Sequence, residues 1–394
     1  MTFQTDPARR DRGRGGARIL MAVLGALVFA LALAACGSSS SSTSSGSSSG
    51  SSTASGSASA GVATAKSQLA PFNAAPTKIG ITTPLKSKPP TGKKLVMLGT
   101  ADPNNVKLQK SLKSLAGTAG WSYDQVSYDP ANPATFNQAI DTAITKKADY
   151  IAEAGIPLTP AAISKVKNAG AKWVLTSVAP ADVKDPVIVN ANSAANDNQM
   201  GTVLADYFIS DSNGKGNVLV EHVPAYPILG AFTDGFQAEV KKLCPDCKVK
   251  IQNITIPDLA AGKVPSIMTS ALRKNSDANY MAFDVGPFAN GVDSALSAAG
   301  LSNKVKIIGE AADEAALANI KAGKYGGWTG FDPVYSTYVM MDSMFRDAEG
   351  MPIEQNKAGL QPTQLITKDN APSGSTWSEP ADALDQFKTL WQLQ

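Results

Sequence analysis

From residue 93 onward, short apolar runs alternate with longer amphipathic ones. Residues 93–99 (KKLVMLG) read as a buried strand. Residues 105–118 read as a helix with Leu108, Leu112 and Leu115 on one face, the spacing of a helical period. Residues 121–128 are strand-like. Asn132 and Pro133 then supply an N-cap with proline at the first helical position, and the helix 134–147 aligns Phe136, Ile140 and Ile144. A strand at 149–154, a helix opened by Thr159-Pro160, and strands at 172–177 and 187–190 complete the first series. A second series has strands at 217–222, 248–255, 279–283 and 304–308, with helices near 228–243, 262–274, 287–299 and 313–322. Gly170, Gly300 and Gly323 follow helices and fit left-handed C-caps. Strands alternating with helices of this length predict parallel sheets covered on both faces. Two such series predict an α/β fold class: two doubly wound parallel-sheet lobes.

Before residue 93 the pattern is different. Residues 1–18 hold five arginines against two aspartates, and residues 19–35 carry no charge. A positive segment followed by an apolar one predicts an export signal over 1–35. The general secretory route fits better than the twin-arginine route, because Asp11 and Gly13 follow the Arg9-Arg10 pair. An uncleaved membrane anchor is the competing reading, at the lower limit of spanning length. The stretch Leu33-Ala34-Ala35-Cys36 resembles the bacterial lipobox, which makes Cys36 a lipid attachment site at the start of the mature chain. Residues 37–60 contain 15 Ser, 4 Gly, 3 Ala and 2 Thr. No apolar face offsets the entropy of ordering such a tract, so it reads as a disordered tether. Residues 61–91, with five prolines, read as extended chain over the folded body.

Removal of residues 1–35 leaves 31 basic against 31 acidic residues. A near-neutral chain without basic runs interleaved with aromatics points away from nucleic acid. Two cysteines remain, in Leu243-Cys244-Pro245-Asp246-Cys247. A zinc site needs four ligands, more than two thiols and a single histidine supply. A redox pair is favoured at a helix N-terminus, whereas Cys244 ends a helix. A structural disulfide between Cys244 and Cys247 suits an oxidising compartment best. No GxSxG, HExxH, P-loop or dinucleotide fingerprint occurs, and His222 is the only histidine. No catalytic constellation, metal site or cofactor is therefore expected, and the chain reads as a non-enzyme.

Several stretches in order carry a resemblance: Phe136-Asn137-Gln138-Ala139-Ile140-Asp141 with Lys146–Ile151 following, Asn196-Asp197-Asn198-Gln199-Met200-Gly201, Asp234-Gly235-Phe236, Gly291–Leu296, and Ile307-Ile308-Gly309. Over roughly residues 93–370 the chain resembles type I periplasmic solute-binding proteins of the ribose-binding-like group, the substrate receptors of ABC importers. The resemblance implies a ligand cleft between lobes joined by a three-strand hinge, with the N-terminal lobe formed by 92–196 and 332–358 and the C-terminal lobe by 197–331 and 359–394. It also implies a monomer, a small-molecule ligand and permease subunits as partners, and a location outside the cytoplasm on a lipid anchor.

In open α/β sheets ligands bind at the carboxyl ends of strands. Those ends carry Asp102, Asn104, Asn105, Glu153 and Ser177 in the first series, and His222, Tyr226, Asp284, Glu310, Phe331 and Asp332 in the second. Phe232 and Phe288 read as core. The chain departs from the sugar-binding pattern where specificity is set. Ser177-Val178 stands where ribose-type members carry Asp-Arg, Phe232 where they carry Arg, and Phe331 where they carry Gln. The charged clamp for adjacent hydroxyls is missing, which points to a flatter or less hydroxylated ligand. A receptor reporting to a membrane signalling protein is the alternative function. A DNA-binding repressor of the same core fold would need a helix-turn-helix where the signal and tether lie.

Overall fold

The computed structural model describes residues 52–393. The export signal, Cys36 and the first part of the serine tract lie outside the described residues. In chain order the elements are α1 (Ser52–Leu69), β1 (Lys94–Gly99), α2 (Pro103–Thr118), β2 (Ser122–Ser127), α3 (Pro133–Thr145), β3 (Tyr150–Ala154), α4 (Pro160–Asn168), β4 (Lys172–Thr176) and β5 (Val187–Asn190). Then come α5 (Ala194–Asp211), β6 (Asn217–His222), α6 (Pro227–Leu243), β7 (Lys248–Asn253), α7 (Ile256–Ala260), α8 (Val264–Lys274), β8 (Tyr280–Phe283), α9 (Val292–Ala298), β9 (Lys306–Gly309), α10 (Glu314–Lys321) and β10 (Tyr325–Thr329). The chain closes with α11 (Pro333–Ala348), α12 (Gln355–Ala358), β11 (Leu365–Ile366) and α13 (Ala383–Leu390).

Two sheets result, ordered β2-β1-β3-β4-β5 and β11-β10-β9-β8-β6-β7. Every pairing is parallel except β10 with β11. The predicted pair of doubly wound lobes is what forms. Each sheet is buried on both faces, which is why β1 and β8 are apolar at nearly every position. In the N-terminal lobe Leu95 and Met97 face α2 and α11, while Val96 and Leu98 face α3 and α4. In the other lobe Val218, Val220 and Ala282 face α5 and α6, and Leu219, Met281 and Phe283 face α8, α9 and α10.

The α5–α6 crossing explains two of the quoted glycines. A Cβ on Gly201 would sit 2.1 Å from the Phe232 carbonyl oxygen, and one on Gly235 would sit 2.3 Å from that of Asn198. Only hydrogen fits at either place, so the helix backbones touch.

Five segments cross between the lobes: residues 70–78, the three hinge segments after β5, after β10 and after α12, and the stretch between Trp377 and α13. Polar groups tie the hinge segments together. Asn196 Nδ2 donates to Asn192 Oδ1 at 2.8 Å, and the Gln361 amide donates to Asn196 Oδ1 at 2.8 Å. The Ser193 amide donates to the Gly359 carbonyl at 3.0 Å.

Two boundaries need correction. The last helix does not stay with the C-terminal lobe as the 359–394 assignment expects. Phe387 and Trp391 of the closing segment are buried in the N-terminal lobe core, where they pack against Tyr335 and Phe345. Large aromatics at the chain end need a deep site, and the exposed surface beside α11 supplies it. The reading of 36–91 as tether and extended chain also fails over residues 52–72, which are helical, and holds for the extended stretch that follows. Val62, Ala65 and Leu69 form a stripe that packs on α5 and α6. Gly61 lets the helix approach, since a Cβ there would lie 1.9 Å from the Leu243 oxygen, and Gln68 donates to Asp206 and Glu239. Docking supplies the stability that a serine-rich helix lacks on its own. Residues 79–85 then run extended along the N-terminal lobe, burying Ile79, Ile81 and Leu85. No described helix is long and apolar enough to cross a membrane.

Candidate functional site

The two sheets present their carboxyl ends to one cavity of about 300 Å³ between the lobes. On the N-terminal side its wall is built from the turns after β1, β2, β3 and β4. Asp102 caps α2, its Oδ1 accepting from the Asn104 and Asn105 amides at 2.9 and 3.1 Å. Asn105 Oδ1 accepts in turn from the Thr100 amide at 3.0 Å. These bonds fix the loop, so Asp102, Asn104 and Asn105 stand on the wall with Thr100 and Leu108. Tyr128 adds an aromatic face. Its hydroxyl donates to Glu153 Oε1 at 2.8 Å, so Glu153 lies behind the wall, fully buried, its pKa pushed well up by that burial.

Two residues reach the wall in a conformation that L side chains seldom adopt. Ser177, after β4, has φ 55°, and Ala311, after β9, has φ 51°. Both line the cavity. The other positive-φ non-glycine residues of the described chain, Lys147, Asn213, Asn303 and Gln392, follow helices. Left-handed backbone costs a residue of this kind about 1–2 kcal/mol, and such strain clusters at ligand sites. Asn192 Nδ2 donates to Ser177 Oγ at 3.1 Å and to Asp197 Oδ2 at 3.2 Å, linking the hinge to the wall.

The C-terminal side contributes Tyr226, Ile228, Leu229, Leu259, Val285, Pro287, Phe288, Glu310 and Phe331. Beneath them lies a group of buried acids. Glu310 and Asp197 share a carboxyl–carboxyl hydrogen bond, and both pKa values are raised, first by burial. Glu221 is also raised by burial and then by the neighbouring Asp284 carboxylate. His222 Nδ1 stands 3.3 Å from Asp284 Oδ2 and from Thr233 Oγ1. Apart from contacts between these acids, no side chain donates to Glu310 Oε2, Asp284 Oδ1 or either Glu221 oxygen. Among the described residues, no group of His, Cys, Asp and Glu is arranged to hold a metal ion.

Of the residues expected from sequence, Asp102, Asn104, Asn105, Ser177, Tyr226, Glu310 and Phe331 line the cavity. Glu153, His222 and Asp284 sit behind it. Asp332 uses Oδ1 to cap α11 at the Val334 amide and Oδ2 to accept from Ser378 at 2.6 Å, so it braces the hinge. Phe232 is core as expected, but Phe288 is on the wall, because the turn after β8 carries it out of the sheet. Asp197 and Tyr128 were missed. Asp197 belongs to a stretch quoted only for the family resemblance, and Tyr128 sits one residue past a strand whose pattern gave no reason to single it out. The Cys244–Cys247 disulfide is formed. It lies between α6 and β7, at the opposite strand ends from the cavity.

A family model described as a periplasmic binding protein domain matches residues 95–351. No curated protein matches the chain. Among solved structures, an ABC sugar transporter subunit from Rhodobacter sphaeroides is 22% identical, with a TM-score of 0.62, 71% of this chain covered and 99% of that one. A Mycobacterium smegmatis protein in complex with beta-D-fucofuranose is 18% identical, with a TM-score of 0.61 and coverage of 77% and 98%. A solute-binding protein of an ABC transporter from Burkholderia graminis, in complex with D-arabinose, is 19% identical, with a TM-score of 0.59 and coverage of 74% and 100%. At these identities the likeness is one of fold.

Proposed function

Because the chain belongs to the periplasmic binding protein domain family, we propose that it is an extracytoplasmic solute-binding lipoprotein that captures a small molecule between its lobes and delivers it to an ABC-transporter permease. The observation that carries this reading is the inter-lobe cavity, walled by turns from both sheets. Its size suits a monosaccharide-sized solute, and its mixture of aromatic rings with few polar groups is that of a small-molecule site. Binding proceeds by closure about the three hinge segments, which buries the solute and presents a closed face to the permease. The chain acts by binding and carries out no reaction. Solved neighbours hold D-arabinose and beta-D-fucofuranose, which supports a carbohydrate-like or similarly small solute here. The missing charged clamp and the presence of Phe331 and Phe288 favour one with an apolar or aromatic face. Cys36 carries the lipid, and the serine tract up to α1 holds the body off the membrane.

Thermal-shift and calorimetric screening of the full chain against sugars, polyols, nucleosides and amino acids tests the receptor reading. Stabilisation at one-to-one stoichiometry by a small solute is the expected result; a chain that binds none of them contradicts it. Cys36→Ala tests the anchor, by loss of the protein from the membrane fraction or retention of an uncleaved precursor. Unchanged fractionation and mass refute the anchor alone.

A further inference from the structure

The cavity wall has a pronounced charge imbalance. Asp102, Asp197 and Glu310 line it, and no lysine, arginine or histidine does. The imbalance deepens beneath the surface, where Glu221 and Asp284 are fully buried next to the same pair, with only His222 close by. Glu310 itself is 3% exposed, stands on the cavity wall, and meets another acid, Asp197, rather than a cation. Buried carboxyl groups are ordinarily paired with cations or fully hydrogen-bonded. Arg346 and Asp342 show that arrangement, a buried two-bond pair. At the cleft the acids are met only by neutral groups, Asn192 donating to Asp197 and Asp197 sharing a hydrogen bond with Glu310, and no protein cation lines the cavity. The same side of the cavity carries aromatic rings, Tyr226, Phe288 and Phe331, and ring faces attract organic cations.

We propose that the solute of this cleft is an organic cation whose ammonium-type group lies against Glu310 and Asp197 and whose carbon skeleton lies among Phe331, Phe288 and Tyr226. This rests on the receptor reading above and narrows it. A cation supplies the positive charge that the acid-lined wall lacks, and it replaces the missing arginine clamp with the reverse arrangement, charge on the solute and acceptors on the protein. Neutral sugars bring no charge to offset the buried acids, so the same cavity discriminates against them.

Paired probes of matched shape test the assignment on the full chain in detergent: benzylammonium with benzyl alcohol, choline with 3,3-dimethylbutan-1-ol, and D-glucosamine with D-glucose. Calorimetry at millimolar probe concentration reads the affinities. The cationic member of at least one pair is expected to bind tenfold or more tightly than its neutral partner. Glu310→Gln should then erase tenfold of that preference while leaving the neutral probe within about twofold, and Asp197→Asn should do the same. Circular dichroism shows whether each variant folds, and the wild-type comparison stands whatever the variants do. Neutral members binding as well as or better than cations in all three pairs overturns the proposal, as does the absence of any response to either member. A neutral solute found by the broader screen, binding tightly with Glu310→Gln silent, overturns the cation assignment while leaving the receptor reading intact.

Discussion

Gly201→Ala should destabilise the C-terminal lobe, although alanine is the better helix former. The added Cβ would lie 2.1 Å from the Phe232 oxygen, 2.9 Å from its carbonyl carbon and 3.0 Å from the Phe236 nitrogen. All three atoms are backbone, so no flexible side chain can yield, and α5 and α6 must part by about 1 Å or more. Overpacking of this kind costs about 1–3 kcal/mol, while the helix gains about 0.5–1 kcal/mol from losing glycine. The net loss is up to about 2.5 kcal/mol, a fall of up to about 4 °C in Tm, since an unfolding entropy of about 2.1 cal/mol/K per residue spreads it over the whole body. Gly230→Ala is the internal control. Gly230 lies in α6 with nothing within 4 Å of its Cβ position and no positive φ, so the same change there should stabilise by about 0.5–1 kcal/mol. Thermal unfolding of both variants beside the wild type reads the contrast. Equal stability for Gly201→Ala, or an equal loss for Gly230→Ala, would refute the close helix crossing as the reason for glycine.

Replacing Cys244 and Cys247 together by serine should cost no more than about 2 kcal/mol, since the closed loop is tiny, and should leave solute affinity within twofold; a large loss of binding would contradict the remoteness of that turn from the cleft. Ligand-free stability should fall as pH rises from 5 to 8. Burial raises the folded-state pKa values of Asp197, Glu310, Glu221 and Glu153, so their contribution is full below the unfolded carboxylate pKa and is lost as pH climbs through the raised values. Urea midpoints across that range, with a shallower slope in Glu310→Gln, check the sign, and a slope that is unchanged in the variant sinks the idea. Phe331→Ala should weaken solute binding tenfold or more with the fold retained, because stacking adds about 0.5–1.5 kcal/mol to lost burial; a neutral result by calorimetry removes Phe331 from the site.

The lobes were legible because buried parallel strands and their covering helices write their own periods. Runs such as KLVMLG and the Phe136–Ile140 face leave little choice of element. Proline at the first turn of α3 and α4 marked where those helices begin, whereas α2 starts at Pro103, two residues before its expected start. The docking of α1 was not legible, because three small or aliphatic residues in a serine-rich stretch acquire meaning only once α5 and α6 are beside them. The return of α13 to the other lobe was hidden for the same reason: an amphipathic helix shows that it has a partner, not which one. Strand ends pointed to seven cavity residues, since topology places them. Depth was the harder part. Nothing in the order Glu221-His222 or Phe283-Asp284 says whether a side chain reaches the cleft or turns beneath it, and the acid pair Asp197–Glu310 joins positions more than a hundred residues apart.

Hydrogen exchange of the full chain, with and without the best solute from the screen, bears most directly on capture between two lobes. The account predicts solute-dependent protection on both sides of the cavity at once, around residues 99–105, 154–156 and 176–178 on one lobe and 226–229, 285–288 and 310–311 on the other. Protection confined to one lobe, or appearing only on surfaces outside the cavity, would contradict it.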